Sequence, residues 1–250
     1  KSLTLIFILF CFCGFSQMTI QKKIESDLLE TTRSIRIFLP EEYERDSIKN
    51  YPLTIVLDEE YLFDTYVGNA ILFAKKDKAP RQIIVGISME ESKGKDISFD
   101  INSGRLTSSA YNFYGFIRDE VLFYIESNYR TSPFISLVGH GYSANLITHF
   151  LQENNTFINS FICINPSFSD FIGEELVSYN LPKFLKEDNT FYFYSNNSTS
   201  FPLTKQQKIA QVQKGLSALE IKNFNVINDV MNTANSVSAI GEAIPRAITK

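Results

Sequence analysis

The 250-residue chain is 44 % hydrophobic and 21 % charged, the balance of an ordinary globular protein, and it is long enough to bury a full core without covalent staples. A net charge of −4, with only isolated lysine pairs at Lys22-Lys23 and Lys75-Lys76, offers no basic face to a nucleic acid. Two histidines and three cysteines show no metal-ligand spacing, and no glycine-rich phosphate loop is present, so no metal and no other cofactor is expected.

Lys1 precedes an apolar run from Leu3 to Cys13 and then Gly14-Phe15-Ser16, the pattern of a secretory signal peptide with cleavage after Ser16. The run of about 11 residues falls short of the ~20 that cross a bilayer. Elsewhere no segment approaches that length, so no transmembrane segment is expected. Residues 1–16 are thus read as a leader and 17–250 as one exported domain, periplasmic or secreted. Cys11 and Cys13 leave with the leader. Cys163 remains, in the apolar run Phe161-Ile162-Cys163-Ile164, as a buried thiol.

Strand-like and helix-like segments then alternate, as in a mostly parallel sheet with crossover helices. Ser34 to Leu39 alternates and stops at Pro40, reading as an early strand near an edge. Leu53 to Leu57 is a buried strand, followed by a helix from about Phe63 to Lys75. Gln82 to Ile87 is another short strand. After a polar loop, Phe113, Phe116, Ile117, Val121 and Ile125 mark one face of a helix from about Ser109 to Tyr129. Phe134 to Val138 is a strand that passes through a tight turn into a helix carrying Leu146, Ile147, Phe150 and Leu151. Strands follow at Phe161 to Ile164 and Phe191 to Tyr194, then a helix at about Lys205 to Leu219. The last strand is Phe224 to Ile227, and the last helix, Val237 to Ile248, is interrupted by Pro245.

The turn after Val138 reads Gly139-His140-Gly141-Tyr142-Ser143-Ala144-Asn145. Strand, tight turn and helix are the setting in which Gly-x-Ser-x-Gly presents a nucleophilic serine. Here the middle position is Gly141, which has no side chain. A register shifted by two residues would offer Ser143 instead. The ordinary role of Ser143 is that of a first-turn helix serine, satisfying an orphan amide.

Several segments together resemble the secreted esterase family of the α/β-hydrolase superfamily, in its siderophore-esterase and esterase-D-like branch. Arg33 to Tyr43 resembles the opening strand that ends in Leu-Pro-x-x-Tyr, and Tyr51-Pro52-Leu53-Thr54-Ile55-Val56-Leu57-Asp58 the strand that ends in Leu-Asp-Gly. Val85-Gly86-Ile87, Phe116 to Arg130, Gly139-His140 and Ile164-Asn165-Pro166-Ser167 follow in the family's order. The resemblance implies an α/β-hydrolase fold: a mostly parallel sheet of about 7–8 strands with helices on both faces. It also implies acyl transfer by serine, histidine and carboxylate, with an oxyanion hole.

The positions that should carry this chemistry are altered. The serine position is Gly141. The carboxylate position falls near Asn196 and Asn197, in a stretch from Asn189 to Leu219 that has no Asp or Glu, and Asp229 is the nearest later acid. The late histidine falls at Ala234, within Ala234-Asn235-Ser236-Val237. The remaining histidines read as packing residues, His140 beneath the elbow and His149 on the helix surface. In the oxyanion loop, Glu59 and Glu60 replace the usual glycine. The resemblance therefore implies an esterase homologue that has lost hydrolysis and keeps its scaffold for binding. Glu59, Tyr61 and Tyr142 are the candidate cleft residues, and the partner is a small acyl-type ligand or a protein. Two alternatives remain open: an active serine carboxylesterase using Ser143, and a structural subunit of an envelope complex.

Overall fold

The computed structural model describes residues 18–100, 103–152, 157–172, 176, 189–232 and 235–250, so the expected leader and Ala234 lie outside the described residues. Eight strands form one sheet: β1 (Met18–Ser26), β2 (Thr31–Leu39), β3 (Tyr51–Val56), β4 (Ile83–Ile87), β5 (Thr131–His140), β6 (Ser160–Ile164), β7 (Phe191–Ser198) and β8 (Phe224–Met231). Their spatial order is β1-β2-β4-β3-β5-β6-β7-β8. β1 and β2 pair antiparallel, as do β2 and β4, and β3 through β8 run parallel. β4 and β6 are buried along their whole length, which explains their unbroken apolar sequences: a parallel strand covered on both faces has no solvent side to encode.

The helices are α1 (Glu59–Lys75), α2 (Lys93–Asp96), α3 (Ser108–Gly115), α4 (Leu122–Asn128), α5 (Ser143–Gln152), α6 (Leu203–Ser217) and α7 (Ser236–Ile248), with a π-helical turn, Phe116–Val121, joining α3 to α4. α1 packs against α7, and α3 against α5. Because α1 leads from β3 to β4 while α3 and α4 lead back past β3 to β5, right-handed crossovers put the two pairs on opposite faces. This is the α/β-hydrolase architecture. No helix among the described residues is long and apolar enough to cross a membrane.

The structure adds one strand and changes one expectation. β1 was not foreseen; it is a polar edge strand whose Ile20 and Ile24 are only partly buried, and its lysines suit an edge that must not pair further. β2 lies one place in from the edge and ends before Pro40, as a strand near an edge should. The last helix runs through Pro245 without the expected interruption. Cys163 lies fully buried in β6, where burial pushes its thiol pKa up.

Candidate functional site

The chain leaves β3 toward β4 on one side and returns to β5 on the other. The carboxyl ends of β3 and β5 therefore flank a switch point, where open α/β sheets place their ligands. β5 ends at His140, and the turn into α5 is made at Gly141 with φ +60°. That left-handed conformation disfavours residues with a Cβ. Gly141 is fixed from both sides: its N–H donates to the Ile164 carbonyl at 3.0 Å, and its own carbonyl accepts from the Ser167 N–H at 2.9 Å. A Cβ added at Gly141 would meet nothing within 4 Å, so the apex faces open space. Ser143 does not stand at this apex. It is the first residue of α5, 0 % exposed. Its buried hydroxyl has no hydrogen-bond partner among the described residues, so it does not serve as a cap either.

Beside the apex, Asn165 gathers the neighbouring loops. It follows β6 with φ +43°, a conformation asparagine tolerates better than most residues. Its N–H donates to the Asn196 Oδ1 at 2.7 Å, and the Asn196 Nδ2 donates to the Asn165 Oδ1 at 2.6 Å. The Asn165 Nδ2 donates to the Ser236 carbonyl at 2.7 Å, and Lys205 Nζ donates to the Asn165 carbonyl at 2.9 Å. The segments carrying Asn196 and Ser236, near the positions expected for an acid and a late histidine, thus meet at Asn165, joined by neutral amides. Asn197 is directed away, its Nδ2 donating to the Gln206 carbonyl at 2.9 Å. Asn235, next to the position assigned to the histidine, caps α7 through the Val237 and Ser238 N–H groups. Asp229 accepts from the Tyr194 hydroxyl at 3.1 Å.

A second cluster stands at the end of β3. Asp58 is fully buried with φ +58°; its carboxylate accepts from the His140 N–H at 3.2 Å and pairs with Lys93. Lys93 is brought there by α2, which is pinned where Asp96 forms a buried ion pair with Arg33 at 2.7 Å. Lys93 Nζ also donates to the Tyr61 hydroxyl at 3.3 Å, and that hydroxyl lies 3.0 Å from His140 Nδ1. The Tyr61 hydroxyl thus bridges the Lys93 ammonium and the His140 ring, the direction of its bond to Nδ1 following the ring's tautomer. Burial, with Lys205 and Lys93 assisting against the pull of Asp58, lowers the His140 pKa to about 4. Burial and the Asp58 charge push the Tyr61 pKa up to about 12. Both rings are neutral near pH 7.

Glu59 and Glu60 face neither the apex nor open solvent alone. Glu59 is buried against Arg36 of β2 at 2.7 Å. Glu60 Oε1 accepts from the Met89 and Glu90 N–H groups at 2.6 and 2.7 Å and from the Ser88 hydroxyl at 2.9 Å. Burial opposes ionisation of Glu60, but these donors, with its own amide, hold its pKa below the usual value. His149 is not a plain surface residue: Tyr114 and Tyr111 meet its ring edge-on, at 5.1 and 6.5 Å between centroids.

Above the elbow lies a cleft of about 650 Å³, walled by Phe99, Phe168, Phe171, Tyr142 and Asn145, with Lys205 and Lys208 from α6. Of the three residues singled out for a cleft, Tyr142 lines it and is 66 % exposed. Tyr61 belongs to the His140 cluster beside the elbow, and Glu59 lines a different hollow, between β1 and β2. Lys93 and Lys205 carried no local motif, and the segment Ile164-Asn165-Pro166-Ser167 gave no sign of the role of Asn165. Each takes its place from partners about 30 to 70 residues away.

A family model described as "Putative esterase" matches residues 26–192. Among solved structures, an uncharacterised protein from Capnocytophaga ochracea superposes with a TM-score of 0.83 at 20 % identity, covering 92 % of this chain and 63 % of that one. An IroE-like serine hydrolase from Shewanella oneidensis gives a TM-score of 0.77 at 22 % identity, over 92 % of this chain and 80 % of that one. The siderophore hydrolase EstB from Aspergillus nidulans gives 0.70 at 13 % identity, over 92 % and 95 %. This chain therefore spans less than two thirds of the Capnocytophaga protein. No curated protein matches it significantly. With most of its parallel sheet, its elbow and the strand that follows falling inside the matched span, the chain belongs to the esterase family.

Proposed function

We propose that this member of the esterase family is an exported protein that binds a ligand at the old acyl site and does not hydrolyse it. One observation carries the proposal. Where a nucleophile and an acid are expected the chain has Gly141 and Asn196; Asn196 and the Ser236 carbonyl are bonded to Asn165, one residue after the Ile164 carbonyl that accepts from Gly141. Acyl transfer needs a hydroxyl within reach of a base. The Ser143 hydroxyl is buried, and the His140 Nδ1 is engaged by Tyr61. The apolar run from Leu3 to Cys13 followed by Gly14-Phe15-Ser16, read as a leader, supports export.

The test is covalent labelling of the purified protein with a fluorophosphonate probe, read by intact mass and peptide mapping. No adduct is expected. A stoichiometric adduct on Ser143, absent from a Ser143→Ala variant that remains folded, would establish an active serine and overturn the proposal.

A further inference from the structure

Lysines around the elbow are not equivalent. Lys93 pairs with Asp58, and Lys208 pairs with Asp170 at 2.7 Å. Lys205 donates to a neutral carbonyl, that of Asn165, and sits over the Phe201 ring at 4.4 Å from its centroid. No carboxylate pairs with it among the described residues. Half-burial holds its pKa below the ordinary lysine value, the sign of a charge that lacks a counter-ion. Among the described residues, the other acids on the cleft wall do not supply one. Asp170 is taken by Lys208, and the exposed Asp100 accepts from the Ser103 N–H of its own loop at 2.8 Å. Lys205 lines the same cleft as Tyr142, the residue after Gly141, and a Cβ at Gly141 would meet nothing within 4 Å. Aromatic rings of Phe99, Phe168, Phe171 and Tyr142 continue the wall. Its volume of about 650 Å³ lies within the range that encloses most of a small molecule.

The geometry points to a ligand class: a small amphipathic carboxylate, its head paired with Lys205 and its apolar tail against the aromatic wall. A neutral ester would leave the ammonium without a counter-ion, whereas a free acid supplies one in a charge-assisted hydrogen bond. The inference rests on the binding role proposed above and specifies what is bound.

Isothermal titration of the protein with phenylbutyrate, and separately with its primary amide, tests it. The acid is expected to bind about tenfold or more tighter than the amide, with an advantage that shrinks as salt is raised. Lys205→Gln should remove that advantage and leave amide binding within about twofold, while Lys205→Arg keeps a preference for the acid. Thermal unfolding of each variant confirms folding. Equal affinity for acid and amide, an acid preference that survives Lys205→Gln, or no binding of either compound would overturn the inference. Hydrolysis of the methyl ester, followed in parallel, speaks only to the proposed loss of activity, so the two failures are distinguishable.

Discussion

Restoring a serine at the elbow is a sharp perturbation, because the structure fixes both its cost and its chemical result. In Gly141→Ser the new Cβ enters open space, with nothing within 4 Å, so no neighbour has to move. The cost is that of the backbone: φ is +60°, and a left-handed conformation costs a residue with a Cβ roughly 1–2 kcal/mol. For a chain of this size, each kcal/mol lowers Tm by about 2–4 °C, so a decrease of about 2–8 °C is expected by differential scanning fluorimetry. Hydrolysis of p-nitrophenyl acetate should stay within about tenfold of the parent rate, because the new hydroxyl finds no base and no orienting carboxylate. His140 holds its Nδ1 against Tyr61 and its pKa near 4. A rate gain of about a thousandfold or more would mean that a working base and oxyanion hole persist, and the reasoning would fail. A much larger loss of stability would show that the apex is not open.

Asn196→Asp places a buried carboxylate against the Asn165 Oδ1 and removes the Nδ2 donor. A loss of about 1–3 kcal/mol is expected at pH 7, shrinking at low pH, where a protonated acid recovers a donor; urea denaturation at the two pH values checks this. Burial lowers the pKa of both His140 and His149 from 6.5 to about 4. Below 6.5 the unfolded chain therefore binds more protons, so stability present above that value is lost as pH falls toward 4. His149→Phe should flatten part of this decline in urea midpoints measured from pH 7 to 4.5. Lys93→Met leaves the buried Asp58 carboxylate without its ammonium, and Lys93 is itself 37 % exposed. A loss of about 1–3 kcal/mol follows. The Lys93 pKa is raised: burial pulls it down, but the bond to Asp58 outweighs that. Its contribution is thus complete below pH 10.5 and disappears as pH rises through the folded value, so parent and variant should converge in strongly alkaline urea titrations.

Legibility in the sequence followed the range of the interactions. The buried parallel strands β3 to β6 could be read because burial on both faces writes a continuous apolar run. The elbow could be read because Gly139, Gly141 and Ser143 lie within five residues. β1 was missed because a half-exposed edge strand has little apolar signal, and because its first residues abut the expected leader. At the site, the glycine at the middle of the elbow could be read at one position, but the network around Asn165 could not. Asn165 meets Asn196 across 31 residues and Ser236 across 71, and no local pattern encodes such pairings. Glu59 shows the same limit: adjacency to the oxyanion loop suggested a cleft residue, whereas Arg36, from a strand two places away in the sheet, turns its carboxylate elsewhere.

The most direct measurement is the initial rate of p-nitrophenyl acetate hydrolysis by the purified protein beside Ser143→Ala, each corrected for the buffer reaction. A scaffold that binds without hydrolysing should give equal and marginal rates for the two proteins. Saturable turnover by the parent that disappears in a folded Ser143→Ala variant would contradict it.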